Sequence, residues 1–98
     1  MTRVTKQSGV LPWQATNIST APSKPGVYAL RTSTEISSVV YIGSSDNIER
    51  RLNEHFLLGD IPGISFFDWY EADSMEAARE LEKEWIVKHS PKYNTRVG

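Results

Sequence analysis

Five side chains in this sequence are of types that do chemistry, and each lies in or beside an apolar run. Tyr28 and Tyr41 sit inside the short apolar stretches Val27-Tyr28-Ala29-Leu30 and Val39-Val40-Tyr41-Ile42. Arg51 and His55 are one helical turn apart, at the edge of the stripe made by Ile48, Leu52 and Phe56. Glu82 falls between Ala78 and the pair Trp85 and Ile86, where a helix turns it into an apolar face. A carboxylate in that position costs several kcal/mol unless it is paired or binds a cation. It is therefore either half of a buried salt bridge, for instance with Arg51, or a metal ligand at the mouth of a site. The two phenols are likewise either an aromatic cross-strand pair or part of that site. Together the five offer a guanidinium for an anion, a carboxylate for a cation, and candidate bases beside them. An isolated phenol has a pKa of about 10, so a tyrosine base needs cations beside it. His55 is the other candidate base, since imidazole titrates near neutrality.

The elements that must position these groups are legible from pattern. The two apolar runs flank the polar segment Arg31-Thr32-Ser33-Thr34-Glu35-Ile36-Ser37-Ser38 and predict a β-hairpin. A symmetric hairpin centred between Thr34 and Glu35 places Tyr28 and Tyr41 directly opposite each other. Asp46 followed by Glu49 predicts an N-cap and a helix over about 47–58, closed by Gly59. Ile64–Tyr70, rich in Phe, Trp and Tyr, predicts a third strand. Asp73 with Glu76 opens a second helix over about 74–89, which ends at Ser90-Pro91. The expected fold is α+β, a small three-stranded, mainly antiparallel sheet flanked by helices. Residues 1–23 read as an irregular lead-in that packs Trp13 on the domain, with a short strand near Gly9–Trp13; residues 24–98 read as the domain itself.

The chain has 98 residues, enough for one small domain. With no cysteine there is no disulfide framework and no thiolate zinc site. His55 and His89 are the only imidazoles, so a metal would be a hard cation held by oxygen. No run is long and apolar enough to span a membrane, and no secretory leader is evident. No membrane association and a cytoplasmic location are expected. The net charge of -1 argues against strong general affinity for nucleic acid. Its distribution is uneven: Arg3, Lys6, Lys24 and Arg31 precede every acidic residue, and Lys88, Lys92 and Arg96 cluster near the end. These ends form a candidate positive rim, with Lys24, Arg31, Lys88 and Lys92 as candidate nucleic-acid contacts.

In this arrangement the sequence resembles the GIY-YIG nuclease superfamily. Gly26-Val27-Tyr28 is a Val-for-Ile form of its first motif, and Tyr41-Ile42-Gly43 is its second. Arg51, His55 and Glu82 fall at the family's spacing, and Lys88-His89-Ser90-Pro91-Lys92-Tyr93-Asn94 resembles its closing segment. The resemblance covers about residues 24–96. It implies a metal-dependent DNA endonuclease with Mg²⁺ (or Mn²⁺) on Glu82. It assigns Tyr41 as the base, Tyr28 and His55 as its assistants, Arg51 to the phosphate and Asn94 as a brace. The implied products carry 5′-phosphate and 3′-hydroxyl ends. RNA stays open as a substrate, and a homodimer or a partner protein could supply DNA specificity. The alternative is a non-catalytic nucleic-acid-binding or protein-interaction module that keeps the fold.

Overall fold

The computed structural model describes residues 4–94. Three antiparallel strands form its centre: β3 (Gly26–Arg31), β4 (Val39–Ser45) and β5 (Phe66–Ala72). The lead-in adds two short strands, β1 (Val4–Gln7) and β2 (Leu11–Pro12), both antiparallel to the outer edge of β5. The sheet order is β1-β5-β3-β4, so β4 is an edge strand. The α+β fold expected from sequence is observed, with a sheet two short strands wider. Polar β1 alternates poorly, which hid it; what holds it is pairing to β5 rather than burial.

Strand alternation splits the core into two layers. Tyr28 and Leu30 point to one face, where they pack with Ile18, Phe67, Trp69 and the helix α2 (Ile48–Leu58) through Ile48 and Leu52. Short helix α1 (Ala15–Ile18) supplies Ile18, and Trp13 meets Phe56 and Phe67 edge-on at 5.5 and 5.4 Å. Val27 and Ala29 point to the other face, against Ala78 and Leu81 of α3 (Met75–His89). The helix caps lie one residue beyond expectation: Asn47, not Asp46, accepts from the Arg50 amide, and Ser74, not Asp73, accepts from that of Ala77. Asp46 instead holds the Arg50 guanidinium at 2.7 Å. Gly59 ends α2 in the left-handed conformation at φ 60°, which reverses the chain tightly.

The hairpin is not symmetric. Tyr28 pairs with Gly43, and Leu30 with Tyr41, with a register shift between Leu30 and Arg31. The two tyrosines are therefore diagonal neighbours on one face, not opposite each other. Gly43 explains the offset, because the Tyr28 ring and hydroxyl occupy the space a Cβ would need there. A short 3₁₀ turn, Ile36–Ser38, takes up the loop asymmetry.

Candidate active site

β3, β4 and α2 bring polar groups to the outer, β4 side of the α2 layer. Tyr28 is fully buried, and its ring centroid lies 6.2 Å from that of Tyr41 and 5.5 Å from that of His55. Tyr41 meets the His55 ring edge-on at 5.4 Å. A cavity of about 330 Å³ opens here, lined by Tyr41, Arg51, His55, Asp60, Ile61 and Tyr93. Tyr41 thus faces the open space, whereas Tyr28 lies behind it.

The polar contacts fix directions. Tyr28 Oη and His55 Nε2 are 2.9 Å apart, and His55 Nδ1 is 2.9 Å from Asp60 Oδ1. Both ring nitrogens of the buried imidazole are engaged, so His55 has no nitrogen free to touch a water directly. Burial pushes the Tyr28 phenol far above the ordinary tyrosine range; Tyr41 adds to this and the nearby Arg51 guanidinium opposes it. Tyr28 is therefore a neutral hydroxyl. Arg51 donates through Nη1 to Glu54 at 2.9 Å. Burial disfavours its charge, but Glu54, Tyr28 and Tyr41 outweigh that and raise its pKa.

Glu82 comes from α3, on the far face. It is half-buried, and Ser44 Oγ donates to its Oε1 at 2.6 Å. Its charge reaches the Tyr28 hydroxyl and raises that pKa further. The salt bridge to Arg51 is not formed; the carboxylate is oriented by a neutral hydroxyl instead. Asn94 follows α3 around the β4 edge, accepts the Ile42 amide at 2.7 Å and donates to the Ile42 carbonyl at 2.9 Å. It thereby closes the open hydrogen-bonding edge between Tyr41 and Gly43.

Not every expected contact residue belongs here. Arg31 is buried, and its guanidinium grips Asp68 through Nε at 3.2 Å and Nη2 at 2.9 Å. Alternation turns it to the α3 face, so its nucleic-acid role is withdrawn. Lys24 is exposed near the start of α2, where its carbonyl accepts the Ile48 amide. Lys88 is exposed and lines a separate cavity of about 560 Å³ with Tyr70, Trp85 and His89. Exposed Lys92 lies 5.4 Å from the Tyr93 ring centroid, beside the site. Arg3 and Arg96 of the expected rim lie outside the described residues. Trp69 is buried and unavailable for base stacking.

The sequence reading missed Asp60 and Ser44, and Tyr93 as a wall of the cavity. Ser44 was signalled by alternation, since it follows Gly43 and must face α3. Asp60 was signalled only by Gly59, whose left-handed turn returns the next residue toward the last helical turn.

The family model described as GIY-YIG catalytic domain matches residues 24–94. The chain belongs to the GIY-YIG family. GIY-YIG relatives include the UvrABC system protein C of Thermosipho africanus, 38% identical over 79 residues, and that of Thermobifida fusca, 31% identical over 84. These matches take in 72% and 76% of this chain but only 13% and 12% of the relatives' lengths. The GIY-YIG N-terminal endonuclease domain of UvrC from Thermotoga maritima, solved bound to magnesium as its catalytic divalent cation, superposes with a TM-score of 0.68 at 26% identity. That likeness covers 82% of this chain and 93% of the solved one. An asparagine-to-alanine variant of the same domain, also bound to its catalytic cation, gives 0.69 at 25% identity.

The donor set of this GIY-YIG chain fits a small hard cation. Among the described residues no group of three or more His, Cys, Asp or Glu side chains comes together. One half-buried carboxylate, held by a neutral hydroxyl, suits Mg²⁺, which keeps several waters and shares its shell with phosphate oxygens.

Proposed function

We propose that this chain is a Mg²⁺-dependent endonuclease domain that hydrolyses DNA phosphodiester bonds, leaving 5′-phosphate and 3′-hydroxyl ends. One observation carries the reading: Tyr41, Arg51 and His55 converge on one open cavity, with Tyr28 directly behind and the Glu82 charge within reach of it. Glu82 would hold the ion, steadied by Ser44. Bound there, a divalent cation supplies neutralisation of charge on the phosphate and on the leaving oxygen. Arg51 binds the phosphate through its guanidinium, which its raised pKa keeps charged. Tyr41, on the cavity wall, orients the attacking water and, in its phenolate form, accepts its proton. The water oxygen bonds to phosphorus, the bond from phosphorus to O3′ breaks, and O3′ takes up a proton from solvent water. His55 acts through Tyr28, because both its nitrogens are already held. Asn94 keeps the β4 edge, and with it Tyr41, in place.

A net charge of -1 supports only a weak grip on DNA. A partner protein is the proposed source of specificity, in keeping with relatives named as components of a multi-part system. Incubation with nicked, branched and linear DNA checks the reading. Cleavage is expected with Mg²⁺ or Mn²⁺ and not with chelator, and Glu82→Ala abolishes it while the far-ultraviolet spectrum stays native. Equal cleavage by the folded Glu82→Ala protein overturns the assignment. Binding without cutting under every condition supports the non-catalytic module instead.

A further inference from the structure

We propose that Asp60 is a positioning residue, fixing the His55 ring so that its Nε2 lone pair accepts the Tyr28 hydroxyl hydrogen. The inference rests on the nuclease reading for its catalytic consequence, but its structural half stands alone. A carboxylate only accepts, and Asp60 offers both oxygens to His55 Nδ1, at 2.9 and 3.1 Å. Nδ1 must therefore carry hydrogen. In the neutral ring Nε2 is then the acceptor, and the phenol 2.9 Å away is the donor. With its hydrogen committed to His55, Tyr28 turns its lone pairs toward its remaining neighbours, among them the Arg51 guanidinium, whose charge opposes the rise in the phenol's pKa. The hydrogen-bonded chain Asp60, His55, Tyr28 thus runs from a surface loop to the hydroxyl on which the Arg51 charge acts. It also sets which way each hydrogen points.

The geometry is built rather than incidental. The imidazole is 2% exposed at its side chain, while Asp60 is 39% exposed. Gly59 at φ 60° is what lets the residue following the helix fold back onto its last turn. Without an anion at that place, the ring could take the other tautomer. Nε2 would then carry hydrogen and donate to Tyr28, and the phenol hydrogen would swing toward Arg51, against its charge.

The test uses the full chain with His89→Gln, so that one imidazole remains. Long-range nitrogen–proton correlation spectra without metal should give the Nδ1–H tautomer. Asp60→Ala should shift the ring to Nε2–H or a mixture, and Asp60→Glu should restore it. With Mg²⁺ and DNA, Asp60→Ala should lower kcat by roughly 10²-fold, the lower range for one proton-handling group, with KM within about twofold and recovery in Asp60→Glu. An Nε2–H ring in the parent protein overturns the proposal. So does an unchanged tautomer, or an unchanged kcat, in Asp60→Ala. A parent that shows the Nδ1–H ring but never cuts DNA defeats the nuclease reading while leaving the ring assignment in place.

Discussion

At the scale of residues, the site is arranged around one hydroxyl that cannot ionise while the domain is folded. Burial, then Tyr41, raise the Tyr28 pKa, and burial with the Asp68 hydrogen bond and charge does the same for Tyr70. In the unfolded chain both phenols titrate at about 10. The folded state therefore holds protons that the unfolded state releases, so these groups' contribution to stability is whole below about pH 10 and falls as pH rises above it. The phenolate absorbance belonging to Tyr28 and Tyr70 should appear together with unfolding in an alkaline titration. Tyr28→Phe and Tyr70→Phe should each flatten the alkaline loss of stability. Phenolate absorbance that develops near pH 10 in the folded protein, and disappears in Tyr28→Phe, would contradict the burial argument.

At the scale of elements, two glycines decide how closely strands and rings approach. A Cβ at Gly43 would run into the Tyr28 ring and hydroxyl; one at Gly26 would run into the Tyr70 carbonyl and the Ile48 side chain. A ring can tilt, whereas a strand carbonyl cannot move without opening the β3–β5 pairing. Gly43→Ala should therefore cost about 1–3 kcal/mol in urea unfolding, and Gly26→Ala should cost more. Cleavage should rank the other way among the protein that remains folded, because only Gly43→Ala displaces the hydroxyl that His55 holds. Equal stabilities for the two variants would mean the strands adjust more freely than their pairing implies. On the opposite face, the Arg31–Asp68 pair ties β3 to β5, and the 4.8 Å edge-on contact of Tyr70 with Trp85 holds α3 on β5. That lock is what carries Glu82 to the β4 edge.

At the scale of the whole molecule, the proposed site draws on both faces of a sheet, so an ion held by Glu82 would be tied to folding. Only the folded chain brings Glu82 within reach of the tyrosine layer, so an ion bound there stabilises it by mass action. At ten times its dissociation constant it adds about 1.4 kcal/mol, a rise in Tm of about 6–11 °C for a domain of this size. Calorimetry should find that rise with Mg²⁺ in the parent and little of it in Glu82→Gln. An equal rise in both would place the ion elsewhere.

Pattern and spacing alone established the three central strands and the two long helices, though not β1 or α1, and singled out the polar groups that interrupt apolar runs. Apolar runs, capping residues and the interruption of an apolar stripe by Glu82 are local properties, readable because strand and helix periods are fixed by backbone geometry. They also marked the Trp13 anchor and the two helix ends to within a residue or two. What they could not supply was register and partnership. Tyr28 lies across Gly43 because a ring found empty space on a neighbouring strand, and Arg31 is lost to Asp68 because the sheet turned it to the other face. Asp60 joins His55 because a left-handed glycine folded a loop back over a helix end. Each of these depends on where distant backbone segments come to rest, and that is settled only when the two core layers pack against the sheet.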